Sequence, residues 1–159
     1  MAQDTELPGE PCSAAVGTFV LTDVRDDGEP GSRSLLMLTY GGNAEFVSAA
    51  QRGGDDYAPF SDALGQWACL SEEGENPRIR VVVLDFTFPD DGEQQMAHVD
   101  FEGTLDVDTG QLILAALLSF FPMYGDVLDG PAADADPYTT IGQKVVVAEY
   151  GSSNPKLLP

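Results

Sequence analysis

Three segments decide the fold: Ile79-Arg-Val-Val-Val-Leu-Asp-Phe-Thr-Phe88, Met96-Ala-His-Val-Asp-Phe-Glu-Gly-Thr-Leu-Asp-Val107 and Leu112-Ile-Leu-Ala-Ala-Leu-Leu-Ser-Phe-Phe121. Each is long and rich in β-branched and aromatic residues, which fit a pleated surface better than a helix. Between them lie Pro89-Asp-Asp-Gly92 and Asp108-Thr-Gly110, short acidic links with the glycine that tight turns require. Strand, turn, strand, turn, strand is the pattern of an antiparallel meander.

The rhythm continues outward in both directions. Val16–Val24, Ser34–Tyr40, Ala44–Ala49 and Leu64–Ser71 read as strands one to four, and Thr139–Tyr150 as an eighth. Residues 51–63 and 122–137 form two long loops marked by Gly, Pro and Asp. Eight strands joined in order make an all-β, eight-stranded antiparallel up-and-down barrel the economical expectation, because closure removes both exposed edges. A two-sheet sandwich is the rival. The reading gives one barrel domain over 16–150, a flexible N-terminal arm over 1–15 and a C-terminal tail over 151–159.

At 159 residues the chain suits a single domain with one substantial core. Its formal charge is -20, from 27 acidic against 7 basic residues. Such a field repels nucleic acid and anionic membranes, and both are excluded as expected partners. The acids are scattered through turns, the distribution of a solubilising coat. The acidic, Pro-rich start carries no basic and apolar leader pattern, so the expected address is cytoplasmic. Cys12 and Cys69 have no CxxC or Cys/His spacing, and in that setting they are expected to remain unpaired, Cys69 as a small buried hydrophobe. With one histidine and no clustered thiols, neither a metal site nor a cofactor is expected.

In the sixth strand Val99, Phe101, Leu105 and Val107 alternate with His98, Asp100, Glu102, Thr104 and Asp106. Period-two alternation means core on one side and solvent on the other. The seventh strand is apolar on both faces, with Ser119 the interruption, and Val145–Val147 make the eighth nearly so. Both faces of such strands need cover, and a homodimer through the outer faces of strands five, seven and eight is the expectation.

Few residues offer chemistry. Asp85 stands between Leu84 and Phe86, where a carboxylate must find a partner or take up a proton. It is either an outward polar position or an interior acid. His98, the sole imidazole, shares a strand face with Asp100 and with it makes a candidate acid–base pair. Arg80 is a candidate anion holder if interior. Trp67, Tyr40 and Tyr124 are candidate cavity walls, Trp67 alternatively a floor residue. There is no GxSxG, HExxH, P-loop or GxGxxG motif.

Gly17-Thr-Phe19, Pro59-Phe-Ser-Asp62 leading to Gly65-Gln-Trp67, Leu84-Asp-Phe-Thr-Phe88 and Phe121-Pro-Met-Tyr-Gly-Asp-Val-Leu-Asp-Gly-Pro131 together resemble small bacterial lipocalin-like barrels of the calycin type. The Gly-x-Trp that lipocalins carry on the first strand is Gly17-Thr-Phe19 here, and a tryptophan version stands on the fourth. A looser likeness at the level of the fold is to allene oxide cyclase-like and spirotetronate-forming cyclase barrels, which fold a reactive substrate without a cofactor. The resemblance implies a cavity for an apolar small molecule. The expected function is cofactor-independent cyclisation or isomerisation, with Asp85, His98 and Asp100 as proton-handling groups. The alternative is a non-catalytic carrier of a hydrophobic ligand.

Overall fold

A computed structural model describes residues 12–71, 76–129 and 134–147. Its strands are β1 (Gly17–Val24), β2 (Pro30–Leu38), β3 (Asn43–Ser48), β4 (Ala63–Ser71), β5 (Arg78–Phe86), β6 (Gln95–Asp106), β7 (Gln111–Pro122) and β8 (Asp134–Lys144). Each pairs antiparallel with the next, and β1 pairs with β8 to close the barrel. Closure rules out the sandwich.

The longest seam, β6 with β7, lies within the opening meander. β5 and β6 pair from Arg78↔Thr104 to Phe86↔Met96, and β6 and β7 from Gln95↔Pro122 to Asp106↔Gln111. Curling these long strands needs two close backbone approaches. A Cβ at Gly65 of β4 would lie 1.8 Å from the Val82 carbonyl oxygen, and one at Gly103 of β6 would lie 1.8 Å from that of Ile113. Only glycine permits either contact.

The interior is filled at one end. Phe19, Leu36, Leu38, Ile79, Val81, Phe101, Leu105, Leu112 and Leu114 are fully or almost fully buried there. The Trp67 indole N–H donates to the Thr39 carbonyl at 2.7 Å, which fixes that ring in the floor. A short 3₁₀ turn, Ser13–Ala15, lies across this end, with Cys12 and Ala15 both wholly buried. The Lys144 ammonium donates to the Ala14 carbonyl at 2.7 Å and secures it.

Two expectations change here. Cys12 and Cys69 are joined in a disulfide that closes a sequence separation of 57 with a Cα–Cα distance of 5.5 Å. They are not unpaired thiols, and residues 12–15 form a stapled floor. The rest of the expected arm, 1–11, and the tail 151–159 lie outside the described residues. The eighth strand also begins and ends earlier than expected, and Val145–Val147 lie beyond it with exposed side chains. Pro137 sits inside β8, opposite Leu117 of β7. It is tolerated because the register with β1 runs only from Thr139 to Lys144, so its missing N–H breaks no seam on that side. Among the described residues no helix is long and apolar enough to cross a membrane.

Candidate functional site

The other end of the barrel is open. Where β1, β3, β5 and β7 finish and β2, β6 and β8 begin, the inward positions change from aliphatic to hydroxyl, carboxyl and aromatic. Ser34, Ser48, Thr87, Asp23, Asp85 and Tyr138 all face a cavity of about 1110 Å³. The 49–62 connection reaches over it through Tyr57 and Phe60, whose rings meet at 6.4 Å. The chain is held in that path by a bridge between Phe60 and Thr87 and by the Gln51 amide donating to Asp62 at 2.8 Å. The early end of the β1–β8 seam leaves Tyr138 at the cavity wall.

The inner end of the cavity is aromatic. Tyr138 stands edge-on to Phe101 at 6.4 Å, and Phe101 packs against Phe46 at 5.5 Å. Into this setting β5 projects Asp85, which is 5 % exposed. Its inward direction follows from strand phase with Val81 and Val83, both wholly buried. One carboxyl oxygen, Oδ1, makes no hydrogen bond. Burial pushes the acid up to about 7, far above the usual carboxylate range.

Two groups respond to the same surroundings. Burial raises Asp23, with the hydroxyl of Thr140 across the β1–β8 seam pulling the other way. Tyr138 is raised by burial first and then by the carboxyls of Asp23, Asp136 and Asp85, so it keeps its hydroxyl proton at all ordinary pH. Asp85, Asp23 and Tyr138 thus form one electrostatic cluster inside the cavity.

The remaining sequence candidates lie elsewhere. His98 and Asp100 sit on the outer face of β6, as their alternation with Val99 and Phe101 requires. His98 packs edge-on to Phe121 of β7 at 6.1 Å. Asp100 accepts two hydrogen bonds from Arg80 of β5, at 3.0 and 2.6 Å. Arg78 and Glu102 pair next to them. His98, Asp100 and Arg80 therefore belong to an outer polar row and not to the cavity. Trp67 is in the floor. Tyr40 lies beyond β2, at the filled end, and Tyr124 is 98 % exposed in the 122–134 connection. Of the seven candidates, Asp85 alone lines the cavity.

Asp23 and Tyr138 were missed. Asp23 follows Phe19 and Leu21 at period two, a phase signal that places it inside. Tyr138 stands just before the expected start of the eighth strand, so no phase was assigned to it. Among the described residues, no cluster of three or more His, Cys, Asp or Glu side chains is arranged to hold a metal ion. No family model, curated protein or solved structure matches the chain.

Proposed function

We propose that the protein binds a small molecule with an apolar body in the open half of the barrel, in the manner of lipocalin-like carriers. The observation that carries this reading is a cavity of about 1110 Å³ above a sealed floor. Pockets for compounds of drug size run from about 300 to 1,000 Å³. Aromatic and aliphatic side chains from Phe46, Val99, Leu118 and Phe120 supply apolar contact, and hydroxyls and carboxyls supply orientation.

The neutral dye N-phenyl-1-naphthylamine tests the reading. It should brighten on binding one equivalent of protein, and Ala97→Trp, which fills the wall of the cavity, should abolish that response. Undiminished dye binding by a folded Ala97→Trp variant would place the ligand elsewhere.

A second reading, cyclisation or isomerisation of the bound molecule, rests on Asp85. A buried carboxyl pushed up to about 7 is suited to moving a proton at neutral pH. Incubation with extract of the producing organism separates the readings. A carrier returns its ligand unchanged, and an enzyme returns a product whose formation slows in Asp85→Asn.

The disulfide favours an oxidising compartment over the cytoplasm. Thiol titration of the freshly isolated protein under denaturing conditions should find no free cysteine. For self-association, the exposed Ile113 and Leu117 of β7 and Ile141 of β8 support a homodimer through those two strands. The charged row on β5 and β6 separates them from exposed Phe86 and Phe88. A sedimentation experiment returning a monomer at micromolar concentration would remove this proposal.

A further inference from the structure

The cavity has an electrical character that an uncharged ligand would leave unanswered. Asp23, Asp56, Asp85, Asp91, Glu93 and Asp136 line it from its inner wall to its rim. No lysine, arginine or histidine is among the lining residues. The chain as a whole carries a formal charge of -20, so the field inside is reinforced from outside. At the inner end Asp85 is 5 % exposed, and its Oδ1 has no partner. A buried polar atom of this kind is costly unless something satisfies it.

Three kinds of occupant can be compared. An anion would meet carboxyls at every depth and find no basic side chain. A bare metal ion would find no arranged set of three ligating side chains among the described residues. An organic cation needs only one or two carboxylates for its charge, and its body is accommodated by aromatic faces, which attract cations as well as apolar groups. Tyr57 and Phe60 stand at the mouth, and Phe46, Phe120 and Tyr138 lie further in.

We propose that the ligand is a hydrophobic organic cation, an amine with an aromatic or aliphatic body, whose ammonium donates to Asp85 while the acidic rim draws it in. This rests on the binding reading above and adds the chemical class of the ligand. Asp23, opposite on β1, is the second acceptor.

The test uses the full chain and three probes of matched shape, 4-phenylbutylamine, 4-phenylbutanol and 4-phenylbutanoate, each competing with N-phenyl-1-naphthylamine. The amine should displace the dye at a concentration at least tenfold lower than the alcohol, with the carboxylate weakest. Asp85→Asn should remove that preference, and Asp23→Asn should reduce it in part. Retention of most of the preference in 0.5 M NaCl would support a buried contact, because exposed charges are screened at such salt.

The failures are distinct. If neither the dye nor any probe binds, the binding reading falls and this inference with it. If dye and alcohol bind and the amine is no tighter, the ligand class is wrong and the binding reading stands. An amine preference that survives Asp85→Asn and disappears in salt would reflect the acidic surface and would overturn the assigned site.

Discussion

The two ends of this barrel are built from the same eight strands and do opposite things. At the filled end, inward positions are aliphatic or aromatic, Trp67 is tied to the backbone, and a disulfide fixes residues 12–15 across the base. At the open end the same inward rows present Ser, Thr, Asp and Tyr around a cavity of about 1110 Å³. β5 passes through both, from Ile79 and Val81 to Asp85, with Thr87 just beyond its end. An eight-stranded barrel is just wide enough for side chains to fill it or for one small ligand to enter. This chain divides the two possibilities along its axis, with a packed core below and an open cavity above.

The sharpest way to break this division is at the base. The disulfide constrains a loop of 57 residues, for which chain entropy gives about 4 kcal/mol of stabilisation. Cys12→Ser with Cys69→Ser should lower unfolding free energy by about that amount in urea titrations. Dye binding by the remaining folded fraction should be preserved. A loss below about 1 kcal/mol would mean that the floor does not depend on its staple.

Next comes a matched pair of core truncations. Leu36 is fully buried in the filled half, whereas Leu118 is half-buried at the cavity wall. Leu36→Ala should cost about 3 kcal/mol, within the range for closely packed cores. Leu118→Ala should cost less than about 1 kcal/mol, since its side chain already borders open space, and should shift ligand affinity instead. Equal losses in denaturant unfolding would contradict the division.

Much of this arrangement can be read in the chain, and the exceptions have physical causes. β6 was legible because from Ala97 to Asp106 its apolar and polar residues alternate, and that alternation alone puts His98 and Asp100 outside. Their promise as a chemical pair argued against their own strand phase, and the phase was right. Asp85 was legible as an anomaly, one carboxylate in a run of Val, Leu and Phe. Tyr138 was hidden because Pro137 looked like the end of a loop and Val145–Val147 like the middle of a strand. The limited β1–β8 register, from Thr139 to Lys144, explains why the proline is allowed. The Cys12–Cys69 bond was illegible for a different reason. Spacing along the chain says nothing about which ends of a barrel meet.

A third prediction concerns the sign of one interaction in the open half. Asp85 is lifted from an ordinary 3.8 to about 7 by burial, so the folded protein binds this proton more tightly than the unfolded chain. Its contribution to stability is fully present below about 3.8 and is lost as pH rises through about 7. Above that the buried charge is a net cost. Asp85→Asn should therefore stabilise the unliganded protein by about 2 kcal/mol at pH 8 and by little at pH 4. The other carboxylates are common to both proteins, so the pH dependence of the difference isolates this one. A variant less stable than the parent at pH 8 would show that the Asp85 carboxylate has a satisfying partner in the folded state.

The smallest effect is expected on the outside of the barrel, and its smallness is informative. Arg80 and Asp100 make the best-formed ion pair of the outer row, with two hydrogen bonds, yet the Arg80 side chain is 52 % exposed and that of Asp100 26 %. Exposed pairs gain little, because water competes for both charges and two long side chains must be ordered, and they are commonly worth under about 1 kcal/mol. Arg80→Ala and Asp100→Ala, with the double variant to close the cycle, should each change stability by less than that and leave probe affinity unaltered. The same experiment separates two roles for Asp100. An outer-row carboxylate is silent in ligand binding, whereas one that reached the ligand would change probe affinity even as stability stayed constant. The face of β6 on which it stands requires the first outcome.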